Sequence, residues 1–579
     1  MQSWWLNTNN YIYICIMHSE CTCVYGKETM KKNGHVQTRE SILSYVVSVA
    51  VTAGLGFLLY YFTLPAINVH SAGFWGMLIL LGLVYSGVHA ASHKLICRHE
   101  ISVVGKKQFH GSMIGVGIAA VAFVAVILGG ISSAKLFHAK TYANIITVQN
   151  GEFKTEMPET TSVTNIALMD TASARIIGNR TLGSLSQVVS QYYVNDRYSQ
   201  INYQNTPKKV AVLEYADFFK WAENKSRGIP GYVMVDPVGN SASYVEFRTP
   251  VRYAESGRFG DDLMRKLRFS YPTKIFGDPY FEVNDAGEPF YIVACMGANA
   301  GLFGAMDVTE VIIFNPVDGS SEIYDVKDVP SWVDIVYNGD LASEKYNWYG
   351  KLSGGFWNSV IGNKNCKMTT DDYGYIVIDD DVWYFTGVTS VTSDESNIGF
   401  IITNARTGEY RFYEVSGAEE YSAMGAAEGE VQEKGYKASF PSLVNIGGQA
   451  TYIMVLKDTG GLVKLYALVN VEQYSIVATG TTQAEALTAY RKALVRNGIK
   501  GIGVEEDTPK AEITVETVRL ATVNDATVVY ITAVDGAVYK GLLSEDESLI
   551  LVREGDKLTV YYDKTEIEGL SEIRSWSKK

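Results

Sequence analysis

The chain has 579 residues, enough for roughly three or four domains, and a net charge of −13. The charge is unevenly divided: residues 1–140 carry 10 basic and 4 acidic side chains, and residues 141–579 carry 40 basic and 59 acidic ones. The acidic balance of the later part argues against a nucleic-acid partner, because phosphate binding needs a basic surface.

Residues 1–40 are predicted to form a cytoplasmic tail. Their apolar patch at 11–17 is too short to span a bilayer, and no small-residue cleavage site follows it. Met30-Lys31-Lys32 is typical of a natural start, a short basic head before an apolar helix. We therefore expect residues 1–29 to come from a mis-assigned start codon.

Three apolar stretches within residues 41–137 are predicted to be transmembrane helices, since a spanning helix needs about 20 apolar residues. They cover about 42–64, 72–90 and 111–131, and contain no Asp, Glu, Lys or Arg. Charged residues inside a membrane mark ion and proton pathways, so their absence argues against a transporter.

The flanking charges predict the orientation, because basic residues are retained on the cytoplasmic side. One basic cluster precedes the first stretch and another separates the second from the third: Lys27, Lys31, Lys32 and Arg39, then Lys94, Arg98, Lys106 and Lys107. Both place the N-terminus in the cytoplasm. We expect a multi-pass cell-membrane protein whose residues after about 140 are extracellular.

Residues 141–227 are predicted to be a stalk and helical entry region. The polar segment 141–164 is either a stalk or an entry strand, and helices are expected at 165–179 and 182–193. A third helix is expected at 215–224, where one apolar face is formed by Tyr215, Phe218, Phe219 and Ala222.

From residue 228 the pattern becomes strand-like, and two segments are copies of each other. Residues 312–326 (IIFNPVDGSSEIYDV) and 401–415 (IITNARTGEYRFYEV) both contain an Asn, a Gly four residues later and a Tyr five residues after that. This spacing predicts a strand, a tight turn that needs Gly at positive φ, and a returning strand. Looser copies lie at 232–247 and 466–478.

The predicted fold class is α+β, because helical stretches follow some of these copies and would pack on antiparallel sheets. Two such regions are expected, at 228–345 and 346–500. A small β-barrel over 511–579 is predicted from five short strands, at 513–519, 527–534, 537–542, 549–553 and 557–562.

The Asn-x3-Gly-x4-Tyr hairpins resemble the PepSY-like α+β repeat of membrane-anchored and secreted bacterial proteins. Segments 167–193 (ALMDTASARIIGNRTLGSLSQVVSQYY) and 228–237 (GIPGYVMVDP) resemble uncharacterised Firmicutes membrane proteins that are loosely assigned to the colicin V production (CvpA) family. CvpA proteins proper are short and have four spans, and this chain departs from them. The resemblance implies a membrane protein and supplies no catalytic residues.

Histidine is confined to the front of the chain. All eight histidines lie at or before position 138, at 18, 35, 70, 89, 93, 99, 110 and 138. This excludes Ser-His-Asp, Cys-His and His-ligated zinc sites from the later part. No Walker pattern and no Gly-x-Gly-x-x-Gly after a strand is present. We therefore expect a protein that is not an enzyme and holds no cofactor.

Other groups leave alternatives open. His89, His93 and His99 could imitate a metal cluster, or could be interfacial histidines on a short loop. Cys295 and Cys366, the cysteines of the later part, could form one bridge or stay free.

The candidate binding residues form two groups. Asp170, Arg175 and Arg180 could recognise a carboxylate or peptide end, since guanidinium binds such groups at two points, or could form internal salt bridges. Aromatic residues could line a groove for peptide or glycan, or belong to the core: Tyr192, Tyr193, Trp221, Trp348 and Trp357.

Two acidic runs flank one predicted strand, Asp371-Asp372 and Asp379-Asp380-Asp381. They could form an acid/base pair or bind a metal such as calcium, or be turn residues. Without histidine, these carboxylates are the remaining candidates for catalysis.

The function predicted from the sequence is a membrane-anchored, extracytoplasmic binding or scaffolding protein of the bacterial envelope. Its expected partners are the lipid bilayer and an unidentified protein, peptide or glycan. The alternatives are a carboxylate-based enzyme that acts on the cell wall, and a regulatory subunit of a membrane protease or transporter.

Overall fold

The computed structural model describes residues 5–7, 12–14, 26–96, 101–160, 166, 168–391, 393–499, 509–523, 526–543, 546–565 and 569–578. Arg98, His99 and part of the predicted entry region (161–165 and 167) lie outside the described residues. Helices account for 35% of the chain and strands for 37%, which agrees with a fold of mixed helix and strand.

The helices of the described residues are α1 (Gly26–Thr63), α2 (Ala72–Ile96), α3 (Ile101–Ser132), α4 (Lys135–Ala143), α5 (Phe153–Glu156), α6 (Thr171–Gly183), α7 (Ser186–Val189), α8 (Phe218–Asn224), α9 (Leu263–Ser270), α10 (Gly339–Leu352), α11 (Glu420–Glu430) and α12 (Gln483–Arg496).

The strands are β1 (Trp5–Asn7), β2 (Ile12–Ile14), β3 (Val148–Gly151), β4 (Tyr192–Val194), β5 (Ser199–Tyr203), β6 (Thr206–Tyr215), β7 (Ile229–Asp236), β8 (Ser241–Val251), β9 (Ile275–Val283), β10 (Pro289–Ala300), β11 (Gly304–Phe314), β12 (Ser321–Asp325), β13 (Lys367–Thr369), β14 (Gly374–Ile378), β15 (Asp381–Ser390), β16 (Ser393–Asn404), β17 (Tyr410–Tyr413), β18 (Gly417–Ala418), β19 (Lys437–Ala438), β20 (Ser442–Ile446), β21 (Gln449–Lys457), β22 (Val463–Asn470), β23 (Val477–Gly480), β24 (Lys510–Val523), β25 (Ala526–Ala533), β26 (Val538–Leu542), β27 (Lys557–Lys564) and β28 (Leu570–Lys578).

The first three helices confirm the three predicted apolar helices. Ile42–Thr63, Ala72–Ile96 and His110–Ser132 are long and apolar enough to cross a membrane. Helix α1 ends where Leu64 takes a φ of 49°, next to Pro65, whose ring cannot continue a helix.

A buried polar network joins α1 to α2. Ser48 Oγ lies 2.8 Å from Ser92 Oγ and 3.1 Å from His89 Nδ1. Gly111 of α3 faces the His89 ring so closely that a Cβ there would be 1.9 Å from Nε2. His89 and His93 are buried in α2, so their expected place on a short loop was wrong. This network packs three helices where a larger residue at 111 would not fit.

Two arginines of α9 bind the carbonyl end of α1. Arg265 donates from Nε to the Tyr61 carbonyl over 3.2 Å, and Arg268 donates from Nε to the Leu64 carbonyl over 2.9 Å. The Arg265 guanidinium also lies 4.2 Å from the centre of the Tyr61 ring. The last carbonyls of a helix have no partner within it and carry partial negative charge, so these cations suit them.

Further contacts join the same end of the helices to the sheets. Ile67, between α1 and α2, donates its backbone N–H to Pro272 over 2.7 Å. Phe303, at the tip of the β10–β11 hairpin, donates its N–H to Ser133 Oγ, just after α3, over 2.8 Å. The α1–α2 loop, the end of α3 and the sheets therefore lie on one side of the three helices.

Within the described residues, four antiparallel sheets each follow a helix. Sheet A (β4–β8) follows α6 and α7, sheet B (β9–β12) follows α9, sheet C (β13–β18) follows α10, and sheet D (β19–β23) follows α11. In sheet B successive strands pair as a meander, whereas in sheets A, C and D the first two strands both pair with the third. Sheet A crosses the predicted boundary at residue 228, because β6 pairs with β7, so there are four units where two were expected.

The predicted copied hairpins are confirmed as β11–β12 and β16–β17. In the first turn, Gly319 donates to the Asn315 carbonyl over 2.9 Å, and in the second Gly408 donates to the Asn404 carbonyl over 3.0 Å. Both glycines have positive φ, 79° and 72°. In the looser copy in sheet A, Asn240 takes this position at φ 50°.

A contact outside the hairpins repeats as well. Tyr253, which precedes α9, donates its N–H to Pro316 in the first turn, and Tyr337, which precedes α10, donates its N–H to Ala405 in the second. Ala418, which precedes α11, donates in the same way to Val471 of sheet D. Three of the four units thus tie the entrance of their helix to a turn of their own sheet, which is a structural repeat.

The sheets pack in pairs. Sheets A and B share one core that contains Tyr232, Val233, Phe281 and Tyr291, and sheets C and D share another around Phe385, Phe400 and Tyr452. On the outer face of sheet D, α12 packs Tyr490 and Leu494 against the strands. Burial of these large side chains is the main stabilising contribution to each pair.

The described part of the predicted stalk, residues 141–160, enters this assembly through β3 and does not form a free stalk. Strand β3 pairs in parallel with β17 at the edge of sheet C. Phe153 and Met157 then join the core between sheets C and D, and Asn445 Nδ2 donates to the Met157 carbonyl over 2.9 Å.

The predicted entry helices were displaced or short. Helix α6 begins after Asp170, whose side chain accepts from Ser173 N, and the stretch expected at 182–193 contains only one helical turn, α7, before β4. The expected apolar face at 215–224 was wrong. Asp217 caps the short helix α8 so that Trp221 is buried, while Phe219 is 72% exposed.

The last five strands pair in the order β24–β25–β26–β28–β27, and β27 pairs in turn with β24. The strand expected at 549–553 was wrong, because Glu547–Leu551 form a 3₁₀ turn that buries Leu549. Strand β28 was not predicted; Ile573 and Trp576 pack on the core from a segment of mostly polar residues.

Replacing Arg268 by Met should destabilise the junction between α1 and α9. Loss of the buried guanidinium leaves the carbonyls of Leu64, Tyr271 and Lys274 without their donors, which lowers the free energy of unfolding by on the order of 3 kcal/mol. Hydrogen exchange of full-length protein should speed up at Ile67 and the thermal midpoint should fall.

Arg252→Met is the matched control, since Arg252 is largely exposed and its pair with Asp261 contributes little. Equal behaviour of the two variants would contradict a special role for Arg268.

Candidate functional site

A cleft of about 380 Å³ lies between α6 of the sheet A unit and the β21–β22 hairpin of sheet D. Its size falls within the range of small-ligand sites. It is lined by Met169, Ser173, Ile177, Asn240, Val455, Gly461, Leu462, Val463, Lys464, Tyr466 and Thr481. The two walls come from units that are far apart in the chain, so the cleft forms only when folding brings these two units together.

An ion pair closes one side of the cleft. Lys457 Nζ lies 2.6 Å from Asp170 Oδ2 and 2.7 Å from Ser173 Oγ. Burial opposes ionisation of Asp170, but the hydrogen bond and charge of Lys457, helped by Ser173, outweigh it and lower the Asp170 pKa. Asp170 therefore caps α6 and also locks that helix to sheet D.

Two further side chains of the lining have polar partners, although the buried Asn240 Oδ1 accepts no hydrogen bond. Asn240 Nδ2 donates to Tyr466 Oη over 3.1 Å, and Lys464 Nζ lies 3.2 Å from Asp458 Oδ2. The walls between them are apolar, with Leu462 44% exposed at the rim. Such a lining suits a largely apolar group and offers few polar contacts to fix its orientation.

The predicted Asp170, Arg175 and Arg180 constellation is not brought together. Arg175 donates from Nε to the Asp196 carbonyl over 2.8 Å, and Arg180 is exposed. The partner of Asp170 is Lys457, which no local spacing could reveal because 287 residues separate the two.

The predicted aromatic residues do not form one groove. Tyr192 is buried and donates from its hydroxyl to the Gly228 carbonyl over 3.1 Å, while Tyr193 is 46% exposed. Trp221 is buried and packs against Phe259 with ring centres 5.7 Å apart, so of the two alternatives it belongs to the core. Of the other two tryptophans, Trp348 is buried and Trp357 is exposed.

The acidic run has structural partners. Asp379 and Asp380 occupy the β14–β15 turn with φ of 49° and 72°. Asp381 accepts two hydrogen bonds of 2.8 Å from Arg406 and one of 2.8 Å from Asn404. Among the described residues, no group of three or more His, Cys, Asp or Glu is placed to hold a metal ion.

A second cavity, of about 480 Å³, is more polar and contains a buried ion pair. Lys345 Nζ lies 2.6 Å from Asp307 Oδ1 and 4.6 Å from the centre of the Tyr337 ring. Burial lowers the Lys345 pKa. Cys295 and Cys366, the remaining candidates for chemistry, are free, buried thiols.

Four buried acids, two in strands, one in α11 and one in the loop before α10, belong to neither cavity's lining. Burial raises the pKa of Glu214 and Glu420 to about 7 and that of Asp334 to about 8. It also raises the pKa of Glu282, whose carboxylate accepts from the backbone N–H groups of Asp334 and Ile335 over 2.9 and 2.8 Å.

Comparison of the chain with protein-family models and with curated proteins finds no match. The CvpA and PepSY-like resemblances therefore stay predictions.

The free energy of unfolding should decrease as pH rises from about 5 to 7. Glu214, Glu282, Glu420 and Asp334 have raised pKa values in the folded state, so the folded chain binds more protons than the unfolded chain over this window. Each group contributes up to about 1.4 kcal/mol per pH unit, and no histidine follows position 138 to mask the effect. Denaturant melts at several pH values measure this slope.

Glu420→Gln should make the slope shallower, since Gln can still accept from Gly387 N. Glu430→Gln, at an exposed site on the same helix, is the control. A slope that Glu420→Gln leaves unchanged would contradict the assignment.

Proposed function

We propose that this protein is a membrane-anchored binding or scaffolding protein of the bacterial envelope, with its sheets outside the cytoplasm and a ligand group held in the cleft between α6 and the β21–β22 hairpin. The observation that carries the proposal is the cleft itself, an open space whose charged neighbours already pair with one another.

The orientation rests on charge. The sheets share one side with the uncharged α1–α2 loop, and the opposite ends of α1–α3 adjoin the basic clusters of residues 27–39 and 94–107. Basic residues are retained in the cytoplasm, so the sheets belong outside. The part of the chain that forms the sheets has an acidic balance and no histidine, and both properties are compatible with a position outside the cytoplasm.

The ligand we propose is a peptide or polypeptide segment that presents an apolar side chain. Met169, Ile177 and Leu462 offer apolar surface, and Asp170 with Lys457 offers no free charge. A charged ligand would have to break that ion pair, which is costly in a buried place. An apolar side chain would gain its affinity from burial alone.

The finer architecture is part of the proposal. We take the four units, each a helix followed by an antiparallel sheet, to be PepSY-like repeats. We take the last five strands, β24–β28, to be the expected small barrel, which offers a second surface for binding. Within this proposal the resemblance to CvpA proteins implies only that the chain is a membrane protein, and it implies no activity.

One alternative has a specific observation in its favour. A ligand that shifts the sheets would act on α1 through Arg265 and Arg268, which suits a regulatory subunit of a membrane protease or transporter. A carboxylate enzyme would need Asp381 free, and Arg406 holds it.

The cleft can be tested by photo-crosslinking in living cells. p-Benzoylphenylalanine at Leu462 should give a discrete adduct with an envelope component, because this side chain lies at the rim of the cleft. The same residue at Val495, exposed on α12, is the control. Ile177→Trp should fill the cleft and reduce the adduct roughly ten-fold.

Adducts of equal yield at both positions, or an adduct that survives Ile177→Trp, would refute the cleft as the binding site. An adduct with a cytoplasmic protein would refute the proposed orientation.

A further inference from the structure

The segment after α10 forms a compact tip, residues 356–362, which we call the 356–362 tip. Three of its large apolar side chains are exposed. Trp357 is 66% exposed, Val360 58% and Ile361 76%. A water-facing surface rarely gathers such side chains at one short loop, and where it does, an interaction site is the usual reason.

The tip has a defined conformation. Asn358 Nδ2 donates to the Lys364 carbonyl over 2.9 Å, and Asn358 Oδ1 accepts from Lys364 N over 3.1 Å. Ser359 Oγ donates to the Phe356 carbonyl over 2.7 Å. Asn363 closes the turn at a φ of 46°. The apolar side chains are thus presented by a helical turn, Asn358–Gly362, that is held by hydrogen bonds of its own.

The tip lies at the membrane end of the sheets. Helix α4 directly follows α3, and Trp348 of α10 lies against both ends of α4: Lys135 Nζ is 5.9 Å from the centre of the Trp348 ring, and the Tyr142 ring is 5.0 Å from it. Ile146, farther along the chain from α3, shares a core with the earlier Tyr346. The later part of α10 therefore lies on the α3 side of the sheets.

A second contact fixes the same end of α10. Trp348 and Leu352 share a core with Ala300 and Ala305. The β10–β11 tip between those alanines reaches the end of α3, where Gly129 faces Leu302. The 356–362 tip begins four residues after Leu352, on the side of the sheets where α3 ends.

The charges around the tip are of one sign. Residues 351–367 contain Lys351, Lys364 and Lys367 and no acidic residue, within an outer part that is acidic as a whole. Tryptophan at the interface, aliphatic side chains below it and lysines around it are the composition of segments that lie in the boundary of a membrane with anionic headgroups.

We propose that the 356–362 tip inserts into the boundary of the adjacent leaflet, and that the lysines on either side of the tip bind anionic lipid headgroups. Trp357, Val360 and Ile361 enter the acyl boundary, and Lys351 and Lys364 meet the headgroups. With α1–α3, the tip gives the sheets a second attachment and fixes their tilt on the membrane. This inference requires the helices to lie in a bilayer, but not that the cleft binds a ligand.

The test uses full-length protein in nanodiscs of phosphatidylglycerol and phosphatidylcholine. p-Benzoylphenylalanine is placed at Ile361, or at the control position Val534, which is 67% exposed in the last five strands. After irradiation, mass spectrometry should show roughly ten-fold more lipid adduct at 361 than at 534.

The lysines are tested in the same assay. Lys351→Gln with Lys364→Gln should remove the preference for phosphatidylglycerol over phosphatidylcholine in the adduct, because headgroup attraction is lost. Equal lipid adduct at 361 and 534 would overturn the proposal. An adduct at 361 that in native membranes forms only with a protein would also overturn it, in favour of a protein partner.

Discussion

The structure depends on the junction at which Arg265 and Arg268 bind the carbonyl end of α1. A helix that ends in a membrane leaves carbonyl groups without partners at the surface, and these cations supply both hydrogen bonds and charge. The contacts of Ile67 with Pro272 and of Phe303 with Ser133 join the same end of the helices to the sheets. With the junction, the sheets have a fixed height and rotation relative to three apolar helices, and each inference about membrane-facing surfaces follows from that placement.

Above the junction, one structural device is repeated. The entrance to a helix donates to the carbonyl after a turn residue, as Tyr253 does to Pro316 and Tyr337 to Ala405. This bond closes three of the four units on themselves, so the units can pair through apolar sheet faces while leaving their edges and turns for contacts between pairs. The cleft beside Asp170 and the cavity beside Lys345 both lie where elements of different units meet. Sites in this fold therefore arise from the arrangement of repeats.

The features that were predictable from the sequence are local ones. Apolar length determines whether a helix can span a membrane, and a Gly four residues after Asn determines a turn, so the three helices and the β11–β12 and β16–β17 hairpins were found. The partner of Asp170 was not found, because Lys457 comes from another unit. The burial of Trp221 was not predicted, because Asp217 caps a helix only seven residues long and thereby sets which of its faces is buried. Strand β28 was missed because its polar face dominates its composition.

The central claim is that the sheets stand outside the cell, on the side of the α1–α2 loop. It is tested most directly by labelling intact cells with a membrane-impermeant maleimide, with cysteine introduced in full-length protein either at Tyr474, which is 55% exposed in sheet D, or at Lys94, near the other end of α2. Cys15, Cys21, Cys23 and Cys97 are first replaced by Ser, and the buried Cys295 and Cys366 should not react. The account predicts labelling of Tyr474→Cys in intact cells and of Lys94→Cys only after lysis. The reverse pattern would contradict it.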